Sequence, residues 1–360
     1  MRLENFVKLM SKGKFDGALI TPGTNFYYLT GLNPSATGER LFLLALNREG
    51  ESVIIAPKLY ENEVKENWEG RAIFWGDDEN PYLILKGVLD ELNLRGGKIL
   101  VEDTMPAMML VKIENILMDY ELDLLSALTS KLRIKKDRGE LKLMEKAAQV
   151  VDDVFYELIE RDLEGMSEKQ VAALIEYLIN ERADGISFEP IVAAGENGAN
   201  PHHSPSDRKL KKGDLVILDY GAKYKGYCSD ITRTIAIGKP SELALEVYNV
   251  VKEAQERAVQ AVREGITAKE IDAVARGEIT KKGYGKYFIH RTGHGLGLDV
   301  HEEPYIAQHS ETILEEGMAF TIEPGIYIPG RVGVRIEDDV AIINGKGKRL
   351  TKAGKELIVL

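Results

Sequence analysis

The stretch Leu215–Ile237, LVILDYGAKYKGYCSDITRTIAI, decides how the second half of the chain folds. Its apolar run VIL predicts a strand buried on both faces, and this strand ends on Asp219. Residues Tyr227–Ile237 predict a second strand, which carries Asp230. A hairpin that turns at Tyr224–Lys225 would place Asp219 directly opposite Asp230.

Two opposed carboxylates inside a protein repel each other, since opposed Cβ atoms on paired strands lie only about 4.5–5.5 Å apart. A buried aspartate pair therefore needs a compensating cation, and a divalent metal is the usual one. The alternative for this pair taken alone is that both aspartates are solvated residues at strand ends.

Two later strands repeat the pattern. FTIEPGIYI at Phe320–Ile328 carries Glu323, and GVRIEDDVAI at Gly333–Ile342 carries Glu337. Pairing about Gly330 would set the two glutamates opposite each other. One such pair is easily coincidental, whereas two pairs together favour a built site.

A histidine completes the predicted cluster. All six histidines lie in the second half of the chain, at positions His202, His203, His290, His294, His301 and His309. His294 lies in RTGHGLGLDVHE, where the neighbouring glycines would allow unusual backbone angles that bring the imidazole close to a partner. Taken alone, His294 is more typical of a surface loop.

The four carboxylates carry four negative charges, which two divalent cations neutralise while the histidine stays uncharged. Oxygen-rich ligation with one imidazole suits Mn, Co or Fe at least as well as Zn. Two metals about 3.5–4 Å apart can bridge and deprotonate one water, which gives a hydroxide nucleophile near neutral pH. The residues therefore predict a dinuclear-metal hydrolase.

Composition limits the other classes of function. The chain has 360 residues, 44% of them hydrophobic, enough for two domains, and a formal net charge of −11. This charge disfavours nucleic acid and anionic membranes as partners. The apolar runs are far shorter than the ~18 residues that span a bilayer, and the N-terminal residues lack the apolar centre of a signal peptide. A single cysteine, Cys228, suits a cytoplasmic protein.

The chain divides into two predicted domains. Residues 1–125 alternate strand-like and helix-like segments and contain no glycine-rich nucleotide-binding loop, which predicts an α/β domain without chemistry of its own. The basic segment 126–138, SALTSKLRIKKDR, predicts a linker. In residues 139–360, helices grouped around antiparallel hairpins predict an α+β fold.

A family resemblance covers nearly the whole chain. It rests, in chain order, on NFYYLTGL, NPHHSP, LDYGAKYKGYCSDITRT, GHGLG, HEEP, IEPGIY, VRIEDD and LTKAGKELIVL. These motifs resemble those of Xaa-Pro dipeptidases (prolidases) in the metallopeptidase family that also includes aminopeptidase P, methionine aminopeptidase and creatinase. The resemblance implies a pita-bread catalytic domain of two pseudo-symmetric halves, a smaller creatinase-like N-terminal domain, and a homodimer.

The resemblance also assigns residues to roles. It implies five metal ligands, Asp219, Asp230, His294, Glu323 and Glu337. It implies three catalytic residues, His202, His301 and Glu323, whereas His203 is interpreted as structural. The expected cofactors are two divalent ions per subunit, Mn or Co, with Zn or Fe as alternatives.

Two further positions bear on the substrate. Arg335 matches an arginine of the family that either orients Glu337 or binds a substrate carboxylate, and a plain salt bridge is the alternative. Tyr305 stands where some archaeal prolidases carry an arginine implicated in holding the terminal carboxylate of the substrate. This departure weakens the expectation of strict dipeptide specificity. An inert core position is the preferred interpretation of Cys228.

The expected activity is hydrolysis of the Xaa-Pro bond of dipeptides by a metal-bridging hydroxide. Glu323 would pass a proton towards the proline nitrogen, and His202 and His301 would donate hydrogen bonds to the developing oxyanion or position the substrate. One alternative is aminopeptidase P activity, which removes the residue before proline from longer peptides. The other is a catalytically silent pita-bread protein that binds peptides.

Overall fold

The structure is a computed structural model that describes residues 2–35 and 38–360. The chain forms two compact units, Met1–Arg133 and Ile134–Leu360. Residue 1 and residues 36–37 of the predicted N-terminal domain lie outside the described residues. The segment predicted as a linker, residues 126–138, contains the helix Ser126–Arg133. The domain bounds 1–125, 126–138 and 139–360 stay a prediction.

The described residues of the first unit form six α-helices, one short 3-10 helix (Lys58–Tyr60) and one mixed six-stranded sheet with the strand order β4-β3-β2-β1-β5-β6. Its helices are α1 (Arg2–Lys12), α2 (Thr24–Thr30), α3 (Glu61–Asn67), α4 (Pro81–Glu91), α5 (Ala107–Glu114) and α6 (Ser126–Arg133). Its strands are β1 (Gly17–Ile20), β2 (Leu43–Asn47), β3 (Ser52–Pro57), β4 (Arg71–Trp75), β5 (Gly97–Val101) and β6 (Tyr120–Leu124).

The sheet of the first unit contains both antiparallel and parallel strand pairs. β2 and β3 are joined by a short turn and pair antiparallel, whereas β3–β4 and β5–β6 are joined through helices and pair parallel. Every residue of β1, in the middle of the sheet, is buried, as its apolar sequence predicts.

The second unit contains four long helices and thirteen strands. Its helices are α7 (Arg138–Ile159), α8 (Glu168–Asn180), α9 (Glu242–Ala261) and α10 (Ala268–Lys281). Its strands are β7 (Gly185–Ile186), β8 (Ile191–Ala194), β9 (Leu215–Tyr220), β10 (Ala222–Tyr224), β11 (Tyr227–Cys228), β12 (Ile231–Ala236), β13 (Gly293–Gly295), β14 (Glu302–Ile306), β15 (Ala319–Ile322), β16 (Gly325–Ile328), β17 (Val332–Arg335), β18 (Asp338–Ile343) and β19 (Lys346–Arg349).

All strand pairs of the second unit are antiparallel, which confirms the α+β prediction. Its sheets have the orders β11-β10-β7, β12-β9-β8, β14-β13-β15-β18-β19 and β16-β17. Two apolar cores lie against them, one built with α7 and α8 and one with α9 and α10.

The two halves of the second unit repeat a local sequence that the sequence analysis missed. Glu164–Lys169, EGMSEK, precedes and begins α8, and Glu264–Lys269, EGITAK, does the same for α10. Each helix begins with a capping box, and each segment pairs with a later strand-like stretch of its own half. The second unit is therefore built from two halves that share this local motif.

Among the helices of the described residues, none combines the length and the apolar character that crossing a membrane requires.

Candidate metal centre

The second unit contains a cavity of about 490 Å³ whose lining comes from both halves. It holds the predicted metal ligands together with the two predicted catalytic histidines. The lining residues are Phe188, Ile191, Pro201, His202, Asp219, Asp230, His290, Arg291, His294, His301, Glu323, Arg335 and Glu337.

The prediction that Asp219 lies directly opposite Asp230 is wrong by two residues. In the β9–β12 pair, Asp219 faces Thr232. The reason is the turn, since Lys225 and Gly226 take the positive φ angles of 48° and 80° that a two-residue hairpin turn needs. A shift by two residues keeps the side chains on the same face of the sheet. Both aspartates therefore still reach the cavity.

The predicted register of Glu323 and Glu337 is confirmed. Gly325 pairs with Arg335 in β16–β17, and Ile322 pairs with Asp338 in β15–β18, so one register runs through both strand pairs. The two glutamates lie in the short gap between these pairs, on opposite sides of the same hairpin.

His294 lies on the strand β13 and is buried. The glycines beside it do not take unusual backbone angles, because neither has a positive φ. They allow close approach of neighbouring strands instead. A Cβ atom on Gly293 would lie 1.8 Å from the carbonyl oxygen of Thr321, and one on Gly295 would lie 2.2 Å from that of Glu303.

Three buried side chains form a group that could hold a metal ion. One ligand atom each from Asp230, His294 and Glu337 lie within 4.8 Å of one another. The His294 Nε2 atom lies 3.6 Å from Asp230 Oδ2 and 3.5 Å from Glu323 Oε1. The His294 Nδ1 atom lies 3.1 Å from the Gly295 carbonyl oxygen, which favours a proton on Nδ1 and leaves Nε2 free to bind a cation.

The carboxylates have oxygen atoms that no described residue satisfies. Asp219 Oδ1, Asp230 Oδ1 and Glu337 Oε1 are buried and accept no hydrogen bond from the described part of the chain. A buried carboxylate oxygen without a partner costs free energy unless a cation lies beside it. The donor set of carboxylates and one imidazole therefore fits divalent metal ions.

The electrostatics of the cluster show what a cation has to compensate. Burial, followed by repulsion from the neighbouring carboxylates, raises the pKa of Asp230 and of Glu337 well above the usual range. Burial is also the main cause that raises the pKa of Glu323 to about 8, and it lowers the pKa of His294 to about 3. His294 is therefore neutral at pH 7, as a metal ligand must be.

Arg335 is held within the wall of the cavity. Its guanidinium pairs with Asp219, donates to the Tyr327 hydroxyl at 2.9 Å and to the Thr232 hydroxyl at 3.2 Å. The Thr232 hydroxyl in turn donates to Glu337 Oε2 at 2.6 Å. Arg335 thus contacts Asp219 directly and reaches Glu337 only through Thr232.

The predicted catalytic histidines lie at the rim of the cavity, and both are exposed. The ring centroid of His301 is 4.1 Å from that of His294. His203, next to His202 in sequence, binds the buried Glu168 carboxylate at 2.7 Å instead of lining the cavity. The same carboxylate accepts bonds from Ser206 and from the Asn197 side chain, so it holds both sides of the loop that carries His202.

Two titratable residues of the cavity lining had no role in the sequence analysis. Arg291 lines the cavity and lies over the Tyr305 ring, with 4.4 Å from its guanidinium carbon to the ring centroid. His290 Nε2 lies 2.8 Å from the Tyr327 hydroxyl. Arg291 belongs to the quoted motif RTGHGLG, but its position opposite Tyr305 depends on strand pairing that the sequence did not reveal.

Cys228 takes no part in the cavity lining. It is buried, its thiol donates to the Leu298 carbonyl oxygen at 3.5 Å, and burial raises its pKa to about 12. A thiol with this pKa is not a nucleophile at neutral pH.

Comparisons with known proteins cover both units. Residues 142–344 match the model of metallopeptidase family M24, and residues 2–135 match that of the creatinase/prolidase N-terminal domain. The chain is 40% identical to the Xaa-Pro dipeptidase of Pyrococcus furiosus over 358 residues, 99% of each protein.

Two solved structures are closely similar. A dipeptidase from Pyrococcus horikoshii is 57% identical with a TM-score of 0.97, over 100% of each chain. A prolidase from Thermococcus sibiricus is also 57% identical with a TM-score of 0.97, over 100% of this chain and 98% of the other. These matches confirm the expected fold of a creatinase-like N-terminal domain followed by a pita-bread domain.

Proposed function

The chain belongs to metallopeptidase family M24, and on this premise we propose that it is a Xaa-Pro dipeptidase that hydrolyses the bond before a C-terminal proline. The relatives reported above include proteins named Xaa-Pro dipeptidase and prolidase, aligned over almost the whole of both chains.

The observation that carries the proposal is the buried cluster in the cavity. Asp230, His294 and Glu337 converge within 4.8 Å, and carboxylate oxygens of Asp230 and Glu337 have no other partner in the described chain. A protein that only bound peptides would have no use for these uncompensated buried charges, which are costly without a cation. The cluster therefore supports a metallopeptidase over a silent peptide-binding protein.

The residues fit two divalent ions, of which Mn or Co is our first choice and Zn or Fe the alternative. Asp219, Asp230, His294, Glu323 and Glu337 would hold them, since all five line one cavity. When bound, such ions supply Lewis acidity and a hydroxide nucleophile near neutral pH.

The proton transfer and the hydrogen bonds to the substrate would be supplied by side chains of this chain. The intact bond before proline has no N–H, so the proline nitrogen needs a proton before it can leave. Glu323 lies at the cavity, with its Oε1 atom 3.5 Å from His294 Nε2, and it would carry that proton. His202 and His301 at the rim would donate hydrogen bonds to the oxygen that gains charge and to the proline side of the substrate.

The proposal also includes the oligomeric state of the protein and its location in the cell. The family resemblance implies a homodimer. Light scattering in solution would test it. A cytoplasmic location agrees with the single, unpaired Cys228.

The test strips the protein with chelator and assays it after Mn, Co or Zn is restored. The substrates are Ala-Pro and Ala-Pro-Ala, side by side. Cleavage of Ala-Pro alone is the expected result, whereas efficient cleavage of Ala-Pro-Ala would move the assignment to aminopeptidase P. No activity with any metal would favour a silent binding protein.

A matched pair of variants ties the activity to the cluster. His294→Ala removes the only imidazole among the three clustered ligands and should abolish activity and metal content. His309→Ala changes an exposed histidine outside the cavity lining and should leave both unchanged.

A further inference from the structure

Two arginines line the cavity, and their surroundings differ. Arg335 is buried, and each of its three guanidinium nitrogens has a partner, namely Asp219, Thr232 and the Tyr327 hydroxyl. Its charge is compensated by Asp219 within the protein. Arg335 is therefore part of the cavity wall, and few of its hydrogen-bond donors remain for a substrate.

Arg291 has no such partners. Of the described residues, none accepts a hydrogen bond from its guanidinium or forms an ion pair with it, and its contact is the face of the Tyr305 ring. The side chain is half-buried and lines the cavity. An aromatic ring fixes the plane of a guanidinium while it leaves the N–H groups at the edge free to donate.

A positioned, partly desolvated guanidinium with unused donors is suited to a carboxylate, which it binds through two parallel hydrogen bonds. A dipeptide carries one carboxylate, at its C-terminus. Two arginines stand among the described residues that line the cavity. Arg335 forms an ion pair with Asp219, whereas Arg291 forms none with any described residue.

Arg291 lies close to the cluster along the chain. It precedes the cluster ligand His294 by three residues, which span at most about 10 Å of backbone. An extended dipeptide spans about 7 Å. A dipeptide whose scissile carbonyl lies at the cluster is therefore long enough to bring its terminal carboxylate to the Arg291 side chain, which lines the same cavity.

We propose that Arg291, held in place by the Tyr305 ring, binds the C-terminal carboxylate of the dipeptide and so sets the length of substrate that the enzyme accepts. This inference rests on the proposed dipeptidase function. A longer peptide has a neutral amide at that point and loses the ion pair. Tyr305, which lacks the charge expected at its position, acts as the support for a cation supplied from the segment that precedes β13.

The test compares Ala-Pro with its amide, Ala-Pro-NH₂, which differs only in lacking the terminal charge. With the metal-loaded wild-type protein, kcat/KM for Ala-Pro should exceed that for the amide by roughly 10- to 100-fold, the range for a charge-assisted hydrogen-bonded pair. Arg291→Gln should lower kcat/KM for Ala-Pro by the same factor, mainly through KM, and leave the amide within about threefold of wild type.

Two variants at Tyr305 test the support. Tyr305→Phe keeps the ring and should retain the preference for the free carboxylate over the amide, whereas Tyr305→Ala should lose part of that preference. Inhibition by proline and prolinamide measures binding separately from turnover. Proline, which has a carboxylate, should inhibit Arg291→Gln more weakly than the wild type, and prolinamide should inhibit both equally.

The outcomes separate the two proposals. If the wild-type protein cleaves neither substrate with any metal, the dipeptidase function itself fails. If the wild type cleaves Ala-Pro but Arg291→Gln lowers both substrates equally, or lowers neither, the role of Arg291 is refuted while the function stands. Arg291→Lys, which keeps the charge without the planar fork, should retain an intermediate preference.

Discussion

Thr232→Val removes one hydroxyl group from the wall of the metal centre and keeps the shape of the side chain. The Thr232 hydroxyl is buried between two partners. It donates to Glu337 Oε2 at 2.6 Å and accepts from Arg335 Nε at 3.2 Å. The variant therefore leaves a proposed metal ligand without its hydrogen-bond donor and an arginine without one acceptor.

The magnitude follows from these two bonds. A hydrogen bond to a charged group contributes about 1.5–3 kcal/mol, and loss of a partner that orients a metal ligand costs about 10- to 100-fold in metal affinity. The two ranges agree, since tenfold corresponds to ~1.4 kcal/mol. The Thr232 hydroxyl also favours the ionised form of Glu337, so its loss makes protons compete better with the metal at that carboxylate.

Thr234→Val is the matched control. Thr234 is buried on the same strand, and its hydroxyl bonds the backbone of Arg335, at 2.8 Å to the carbonyl oxygen and 3.3 Å to the N–H, without touching a proposed ligand. Both variants should lower the free energy of unfolding in urea by about 1–3 kcal/mol. Titration against a chelating metal indicator should show a 10- to 100-fold loss of affinity for Thr232→Val only. Equal losses in both variants, or none in Thr232→Val, would refute the reasoning.

Three further predictions address charge and stability. The raised pKa values of Asp230 and Glu337, caused first by burial, mean that metal-free protein holds protons that its unfolded chain releases. Its stability in urea should therefore fall from pH 5 to pH 8, and metal should abolish most of that fall; equal slopes with and without metal would contradict this. Burial raises the pKa of Glu102 in the first unit to about 7, so its stabilising contribution is present below the pKa of the unfolded chain, ~4.3, and is lost as the pH rises through 7. Glu102→Gln should thus gain stability relative to wild type between pH 5 and pH 8, and a constant difference would count against it. Arg233→Met leaves the buried Asp338 without its 2.7 Å partner and should lower the free energy of unfolding by about 3–5 kcal/mol, measured in urea. A loss below ~1 kcal/mol would mean that the other cations near Asp338 suffice.

The strands that carry the second carboxylate pair were predictable to the residue. Glu323 and Glu337 interrupt two apolar runs of similar length on either side of Gly330, and Gly330 takes the positive φ of 67° that a hairpin tip favours. Because the two apolar runs are symmetric about Gly330, only one register of the two strands is reasonable. The alternation of side chains then put both glutamates on one side.

The first hairpin was harder because its turn had two plausible positions. The prediction centred it on Tyr224–Lys225, whereas the chain turns at Lys225–Gly226. Glycine at the second position of such a turn is a known preference, so the signal was present in the sequence. The error left the composition of the site intact, because a two-residue shift preserves the face.

The contacts around Arg291 could not be read from the sequence. Arg291 meets Tyr305 because β13 and β14 pair with an irregular register, in which Gly293 faces Ile306 and Gly295 faces Glu302. Local patterns identify residues that interrupt apolar runs, and Arg291 interrupts none. Its position depends on how separate segments come together, which is a property of the folded chain.

The order in which the chain is synthesised has a consequence for the metal centre. Two of the contacts that build it join residues more than a hundred positions apart, 105 for Thr232 with Glu337 and 116 for Asp219 with Arg335. A ribosome releases Asp219 and Asp230 long before the arginine and glutamate that complete their surroundings. Contacts of such separation form slowly, and these partners do not yet exist when the first half is made. The candidate metal centre can therefore be complete only after the second half has been synthesised and has folded.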